Sequence, residues 1–140
     1  RAPPAAHAEA AALAFALAAA AAAAAPAALA GEQPVFAGEY DDPSHPGCER
    51  RIAARGACAR GASQCALDVF GADPVPIAPG AKCLPGDKVT PWKLEATYDP
   101  ARPTVLAIDF DPIDEVKQGP VKGEWTGEGL QLPNGLWTKK

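Results

Sequence analysis

The chain lacks the sequence motifs of several common catalytic folds. Its 140 residues contain no P-loop, no G-x-G-x-x-G dinucleotide fingerprint and no G-x-S-x-G nucleophile elbow. The four cysteines include no Cys-x-x-Cys pair, which structural zinc sites normally use. Basic residues are not in excess either, because 13 Lys and Arg stand against 17 Asp and Glu. These absences argue against a zinc-bound domain and against a nucleic-acid partner, which would require a basic surface.

Charge is missing from one long stretch near the start of the chain. Residues 10–30 carry no charged side chain and consist mainly of alanine, the best helix former. Their number matches the roughly 20 residues that an α-helix needs to cross a bilayer. We interpret them as a single transmembrane helix between a polar leader at residues 1–9 and a β-domain at residues 31–140. Two alternatives remain open: a signal-peptide core that ends at Ala28-Leu29-Ala30, and a soluble or disordered alanine-rich segment.

The composition of this stretch predicts how it packs. Small side chains let neighbouring helices approach closely, and packing drives helix association in lipid. We expect Phe15 and Leu17 to contact such neighbours and Pro26 to bend or end the helix within about a turn, because proline removes a backbone donor. The positive-inside rule places Arg1 on the cytosol-like side and residues 31–140 across the membrane. Since the sequence starts at Arg1 and not at methionine, we expect an N-terminal segment to have been removed.

The cysteines favour disulfides in an oxidising compartment. Their number is even, the domain is small, and an apolar translocation-like segment precedes them. Cys58 and Cys65 bracket six residues between two strand-like runs, which suits a cross-strand disulfide. Cys48 and Cys83 would then tie the first turn to a long loop. Free structural thiols are the alternative.

The rest of the chain predicts short strands separated by turns. The strand-like runs are Val35–Tyr40, Arg50–Arg55, Gln64–Phe70, Lys88–Tyr98, Thr104–Phe110, Thr126–Leu132 and Leu136–Lys139. Residues 71–87 contain four prolines and are predicted to form an irregular surface loop. Pro133-Asn134-Gly135 predicts a tight hairpin turn. The pattern therefore indicates a mainly β fold, a small antiparallel sandwich or barrel. Its core or open end should be filled by Trp92, Trp125 and Trp137.

Few residues are candidates for chemistry. His45 and Cys48 could form a nucleophilic pair, but a Pro-Gly turn and a disulfide at Cys48 disfavour the geometry. Asp109 and Asp111 share one face of a predicted strand and could bind a cation, although such carboxylates usually face water. His7 lies just before the apolar stretch and is a candidate ligand of chlorophyll magnesium, because imidazole is a common metal ligand. We therefore predict no catalytic residue, no metal site and no intrinsic cofactor.

Two stretches resemble a known group of proteins. Residues 40–51, YDDPSHPGCERR, resemble the "DPxHPGCxR" opening of small plant and algal chloroplast β-domain proteins. Residues 106–140 resemble their ending, which has a strand with Ile-Asp-Phe before a proline, then Gly-x-Trp-x-Gly, then "PdGnxWTK". The chain departs from this pattern at residues 110–115, which stand where the group has "FSPKGGP". It also departs in the segment 58–83, which looks like an insertion with three extra cysteines.

The resemblance implies a plastid protein of the thylakoid lumen and does not identify an activity. Together with the apolar stretch, it leads to the hypothesis of a non-catalytic accessory subunit of a photosystem–antenna complex, photosystem I before photosystem II. Its partners would be photosystem core proteins, light-harvesting antenna proteins and membrane lipid, and contact with chlorophyll or carotenoid would follow from that position. The alternatives are a lumenal assembly factor, a small-ligand-binding β-module, or an enzyme whose site carries no recognisable motif.

Overall fold

The computed structural model describes residues 33–76, 78 and 80–140, which form a closed antiparallel barrel of eight strands. The strands are β1 (Gly38–Asp41), β2 (Arg50–Ala54), β3 (Cys65–Pro74), β4 (Val89–Tyr98), β5 (Val105–Asp109), β6 (Pro120–Trp125), β7 (Gly129–Leu132) and β8 (Gly135–Lys139). Each strand pairs with the next, and β8 closes the barrel against β1 through Tyr40 opposite Lys139. The prediction of a mainly β, antiparallel fold is confirmed, and the barrel replaces the sandwich alternative.

The predicted leader and transmembrane helix, residues 1–9 and 10–30, lie outside the described residues. Within the part of the chain that the structure describes, no helix is long and apolar enough to cross a membrane.

Alternation along each strand fills the barrel interior. In β3, Cys65, Leu67 and Val69 are buried, whereas the residues between them are only half-buried. Side chains of a strand point alternately to the two faces, so each strand sends one set inward. An eight-stranded barrel is just wide enough for such side chains to fill it. The resulting core comprises Phe36, Tyr40, Ile52, Leu67, Val69, Leu94, Ala96, Leu106, Ile108, Leu130, Leu132 and Trp137.

The loops fall into two groups because successive antiparallel strands run in opposite directions. The β1–β2, β3–β4, β5–β6 and β7–β8 loops lie at one end, here called the far end. The other three loops lie at the opposite end, the near end, where the described chain enters at residue 33. Phe36 closes the near end: it is fully buried, and its ring centroid lies 5.8 Å from that of Tyr98.

Two predicted strand boundaries need correction. Residues 35–37 were predicted as the start of a strand, but Ala37 N donates to Pro34 O in a turn that lets Phe36 fill the end of the barrel. Residues 71–74 were predicted as loop, yet they continue β3 and pair with residues 89–92 of β4. The Asp-Pro pair at residues 73 and 74 is a turn signal, and tertiary pairing overrides it.

The strand β6 was missed altogether. The predicted strand Thr126–Leu132 begins instead at Gly129, and β6 precedes it at Pro120–Trp125. Gly123 occupies the inward position where an apolar residue was expected. A Cβ there would lie 2.9 Å from Leu130 Cδ1, because leucine side chains from other strands already fill that space. A glycine at an inward position therefore interrupts the alternation of apolar and polar residues by which β6 would have been recognised.

The C-terminal hairpin is confirmed, with a shifted turn. Leu132 pairs with Gly135, so the two loop residues are Pro133 and Asn134 and not Asn134 and Gly135. No described residue other than glycine has a positive φ, so Asn134 does not adopt the left-handed conformation that asparagine often takes in two-residue hairpin turns. Proline suits the first loop position because its φ is already fixed. Trp137 is buried as predicted, at 4% exposure.

Candidate functional site

A buried arginine occupies the far end of the barrel interior. Arg50 begins β2, and its side chain is only 3% exposed. Its Nε donates to Asp42 Oδ2 at 3.0 Å, and its Nη2 donates to Asp73 Oδ1 at 2.8 Å. Its Nη1 donates to the carbonyl oxygens of Ala72 and Glu49, at 3.1 and 2.9 Å. A buried charge is costly unless it is paired and hydrogen-bonded, and here both conditions are met.

Two tryptophans lie close to the guanidinium group. The Arg50 Cζ lies 5.1 Å from the ring centroid of Trp92 and 5.7 Å from that of Trp137. Both distances are within the range of an attractive cation–π contact. The indole N–H of Trp92 also donates to Asp73 Oδ2 at 2.7 Å. Each oxygen of Asp73 therefore has its own donor.

Strand alternation and one glycine create room for this cluster. Arg50 is in phase with the buried Ile52 in β2, and Asp73 is in phase with the inward residues of β3. Gly71 lies opposite Trp92 in the β3–β4 ladder. A Cβ on Gly71 would lie 2.1 Å from Trp92 Cζ2, so the indole occupies the space that any larger residue would need.

The β1–β2 loop is built around the same carboxylate. Asp42 Oδ1 accepts from the Ser44 backbone N–H at 2.9 Å, and the His45 Nδ1 lies 3.3 Å from Asp42 Oδ2. The loop continues into a disulfide between Cys48 and Cys83, which joins it to the β3–β4 loop. Gly47 is required by contact as well as by conformation: its φ is +78°, and a Cβ there would lie 2.3 Å from Cys83 O. The loop therefore connects the buried Arg50 cluster to the barrel surface.

The C-terminal strand β8 also contacts the Arg50 cluster, through Trp137. Trp137 contacts Phe110 edge-to-face, with ring centroids 6.4 Å apart, and Tyr40 at 6.3 Å. Residues 42–50, Phe110 and Trp137 belong to the two stretches compared with the chloroplast proteins above, and Trp137 contacts both Phe110 and Arg50. The family assignment stays a prediction.

The geometry does not assemble the nucleophilic pair considered from the sequence. The Cys48 sulfur is bonded to Cys83, and His45 contacts Asp42. Every buried side-chain nitrogen and oxygen in the described residues has a hydrogen-bond partner. The polar atoms of the Arg50 cluster are thus all hydrogen-bonded, and the cluster holds two loops and two strands together.

The Asp109 and Asp111 carboxylates, considered from the sequence as a possible cation site, accept hydrogen bonds from the backbone. Asp109 Oδ1 accepts from the Asp111 N–H at 3.0 Å. The Asp111 carboxylate accepts from the N–H groups of Gln118 and Gly119, at 2.9 and 3.1 Å, and so closes the β5–β6 loop. Among the described residues no group of three or more His, Cys, Asp or Glu side chains could hold a metal ion.

The remaining predicted site residues have separate positions. Cys58 and Cys65 form the second disulfide, so both predicted cysteine pairs are present. Trp125 is half-buried at the edge of the core, and Lys139 Nζ lies 5.3 Å from its ring centroid. His7, Phe15, Leu17 and Pro26 lie outside the described residues.

Two environments change the pKa of groups outside the cluster. Burial raises the pKa of Tyr40 to about 12, and its hydroxyl donates to Phe36 O at 2.6 Å. On the outer face of the barrel, the hydrogen bond from Arg55 lowers the pKa of the Asp68 carboxyl. The Arg55 Nη2 donates to Asp68 Oδ1 at 2.6 Å and to Glu95 Oε1 at 3.0 Å. These bonds join the residue that follows β2 to β3 and β4.

The outer surface carries two shallow, open depressions beside the β4–β5 pair. Their volumes are about 160 and 140 Å³, and both are lined by Thr97 and Ala107. Arg102 and Asp99 border the first depression, and Glu95 and Asp109 border the second, so both have polar margins.

The Arg50 cluster is the feature that sequence reasoning missed. Asp42 and Asp73 each precede a proline, a pairing typical of turns, and Arg50 was assigned to a strand without a partner. The available signal was the position of each residue along its strand. Arg50 shares a strand face with the buried Ile52, and Asp73 shares one with the buried Leu67 and Val69. Charged residues on the inward face of two neighbouring strands predict a buried pair. The sequence did not reveal that both residues belong to neighbouring strands, because β3 was ended too early.

Searches of protein-family models, curated proteins and solved structures found no match to this chain.

Proposed function

We propose that the chain is a non-catalytic accessory subunit of a thylakoid photosystem–antenna complex, photosystem I before photosystem II. In this proposal residues 10–30 form a membrane helix among the helices of core or antenna proteins. The barrel lies on the lumenal face, and His7 or the helix contacts chlorophyll or carotenoid. The resemblance of residues 40–51 and 106–140 to chloroplast β-domain proteins supports the compartment.

The observation that carries the proposal is the saturated interior of the barrel. Twelve apolar side chains fill the core, and the buried polar atoms of the described residues are all paired. The outer surface is therefore the part of the barrel that can act on other molecules, which fits a protein that works by contact. Two disulfides support a compartment that is oxidising.

A lumenal ligand-binding module is the second candidate, and the surface depressions are the observation in its favour. Their volumes of about 160 and 140 Å³ are well below the roughly 300–1,000 Å³ typical of small-molecule pockets. They are also open to solvent and do not enclose a ligand. A lumenal assembly factor would share the surface-contact mode and differ by binding only transiently.

Native gel electrophoresis of gently solubilised thylakoid membranes tests the proposal. We expect the full chain to migrate with an assembled photosystem–antenna band and to remain membrane-bound after a carbonate wash. A chain that migrates only with immature complexes would be an assembly factor. A chain that is washed off and migrates alone would contradict both the subunit and the membrane helix.

A further inference from the structure

We infer that one edge of β4 is a docking site for an extended, acidic segment of another protein, which adds a strand beside it. The site comprises residues 89–94, here called the open edge. β4 pairs with β3 along its whole length, but it pairs with β5 only at residues 96–98. No other described strand leaves as long a run without a partner on one side. The inference goes beyond the proposed function, because it depends on the backbone of the barrel and not on its compartment.

A hydrogen bond elsewhere in the sheet shows which main-chain groups face the open edge. The Ala72 N–H donates to Glu49 O at 3.2 Å, so the main chain of Ala72 faces the β2 side of β3. Successive residues of an antiparallel strand direct their N–H and C=O groups to opposite sides. Gly71 therefore faces β4, and Trp92, which pairs with Gly71, faces β3. The residues on either side of Trp92 direct these groups away from β3, toward the open edge.

The residue types of the open edge agree with this direction. Pro91 has no N–H, and proline within a sheet is confined to positions whose N–H would not meet a partner strand. Val89 and Lys93 face the same side as Pro91 and retain both groups. Among the described residues, no turn or loop hydrogen bond reaches the main chain of residues 89–94. The edge therefore offers two N–H groups and three carbonyl oxygens at strand spacing, which an extended chain can pair with.

The open edge can be reached from solvent. Val89, Thr90 and Pro91 are all exposed, although neighbouring residues of a half-covered strand normally alternate between exposed and buried. A shallow depression of about 140 Å³ lies where the β4–β5 pairing stops, and its lining includes Glu95 and Asp109. An incoming strand can therefore lie beside β4 without displacing a strand of the barrel.

The side chains of the edge indicate the charge of the incoming strand. Lys88 precedes the edge and Lys93 lies within it, and residues 88–94 contain no acidic side chain. Lys88 makes no ion pair with another described residue. Lys93 Nζ lies 3.6 Å from Asp68 Oδ1, but its side chain is 55% exposed and remains accessible. Opposite charges across a strand pair stabilise it, so a carboxylate opposite Lys93 is favoured.

The same residues disfavour a second copy of this chain as the occupant. Two copies of one edge that pair around a two-fold axis present identical groups to each other. Pairing centred on Lys93 would place two lysines directly opposite, and pairing centred on Pro91 would lack both central N–H groups. Lysine and proline are residues by which exposed edges avoid pairing with themselves. The occupant is therefore a different chain that is extended and acidic.

A synthetic peptide tests the open edge on the full chain. The probe is the acetylated and amidated peptide TVEVTVE, which has high strand propensity and carries carboxylates. Its control has the same sequence with two adjacent central nitrogens methylated, which removes one N–H from each edge of the peptide. The readout is amide hydrogen exchange resolved by residue. With the probe at about ten times its Kd, exchange at Val89 and Lys93 should slow about tenfold, and the control peptide should have no effect.

A pair of charge variants tests the chemistry of the partner. Lys93→Glu keeps the amide and reverses the charge, and its matched control, Arg60→Glu, makes the same change in the exposed β2–β3 loop. Both side chains are exposed, so we expect an unchanged unfolding midpoint in both variants. Lys93→Glu should bind TVEVTVE about tenfold more weakly and should prefer the basic peptide TVKVTVK, whereas Arg60→Glu should bind like the wild type.

Three outcomes would overturn the inference. The first is unchanged exchange at Val89 and Lys93 with the probe at about 1 mM. The second is equal slowing by the methylated control. The third is slowed exchange at these amides when the chain alone is concentrated, which would assign the edge to a second copy. A chain that binds the probe but migrates alone on native gels would contradict only the proposed function, and the converse would contradict only the open edge.

Discussion

Arg50 holds a full positive charge inside a small barrel, where two carboxylates and two indole rings surround it. At the scale of single residues, such a cluster specifies geometry more than it adds stability. Removing two charges from water costs several kcal/mol per ion, and their attraction roughly offsets this cost. The gain is positional: the guanidinium group connects the β1–β2 loop to β2 and β3 and lies against the Trp92 and Trp137 rings. We therefore expect the cluster to be intolerant of partial replacement.

The variant Arg50→Ala should destabilise the barrel by about 3–5 kcal/mol, because it leaves Asp42 and Asp73 buried without a counter-charge. Urea unfolding followed by tryptophan fluorescence measures this, since all three tryptophans lie in the barrel. Arg60→Ala, at an exposed loop position, is the control and should change the free energy of unfolding by less than about 0.5 kcal/mol.

A triple variant separates the effect of unpaired buried charge on stability from the effect of lost packing. Arg50→Met combined with Asp42→Asn and Asp73→Asn removes all the buried charges together. It should be more stable than Arg50→Ala alone, because no unpaired charge remains. If the triple variant were no more stable than Arg50→Ala, lost packing and not charge would explain the effect.

The raised pKa of Tyr40 predicts that the barrel loses stability at alkaline pH. Burial raises its pKa to about 12 from an ordinary 10.0, so between these values the folded state retains a proton that the unfolded state has released. The free energy of unfolding should be unaffected below pH 10 and fall above it, by at most about 1.4 kcal/mol per pH unit from this group. Tyr40→Phe should remove this part of the alkaline dependence. A wild type and variant with parallel pH curves from pH 9 to 12 would contradict it.

At the scale of elements, the contact between Gly71 and Trp92 couples β3 to β4. Gly71→Ala should push the indole away from Arg50 and Asp73, because a Cβ would lie 2.1 Å from Trp92 Cζ2. Trp92→Leu should make the alanine tolerable, so the double variant should be more stable than the sum of the single effects predicts. A double-mutant cycle in urea measures this coupling, which we expect to be at least about 1 kcal/mol. Additive effects would mean that the strand, and not the indole, absorbs the extra methyl group.

The two disulfides should differ in their effect on stability. Cys48–Cys83 spans 35 residues of sequence and Cys58–Cys65 spans 7. The chain-entropy relation gives about 4 kcal/mol for the longer closure and about 2 kcal/mol for the shorter one. Paired Cys→Ala variants and urea unfolding test the order. Thiol labelling of the denatured, unreduced wild type should find no free cysteine. A larger loss on removal of Cys58–Cys65 would contradict the entropic account.

The sequence predicted the elements better than their ends. Strand-like runs located β2 to β5, a tight-turn signal located the C-terminal hairpin, and cysteine spacing indicated both disulfides. Gly123 obscured β6 because a glycine fills an inward position that is crowded by leucines from β5 and β7. The buried Arg50 cluster was not predicted, because β3 was ended before Asp73, and because Asp42 and Asp73 are far apart in sequence and meet Arg50 only in the folded barrel. Asp-Pro pairs are typical of surface turns, so the sequence favoured exposed positions for Asp42 and Asp73.

At the scale of the whole molecule, the barrel has two ends with different character. The near end is closed by Phe36, and the far end holds the buried Arg50 cluster. The Cys48–Cys83 disulfide joins the β1–β2 loop, which carries Asp42, to the β3–β4 loop, so a defect at Arg50 should also disturb both loops.

The central claim is that this chain is a stoichiometric subunit of an assembled photosystem–antenna complex. The most direct measurement is its copy number per reaction centre in the purified complex, by mass spectrometry with isotope-labelled peptides from the barrel. Our account predicts a ratio near one that stays constant across the gradient fractions containing the intact complex. A ratio far below one, or one that varies independently of the reaction-centre proteins across those fractions, would contradict the account.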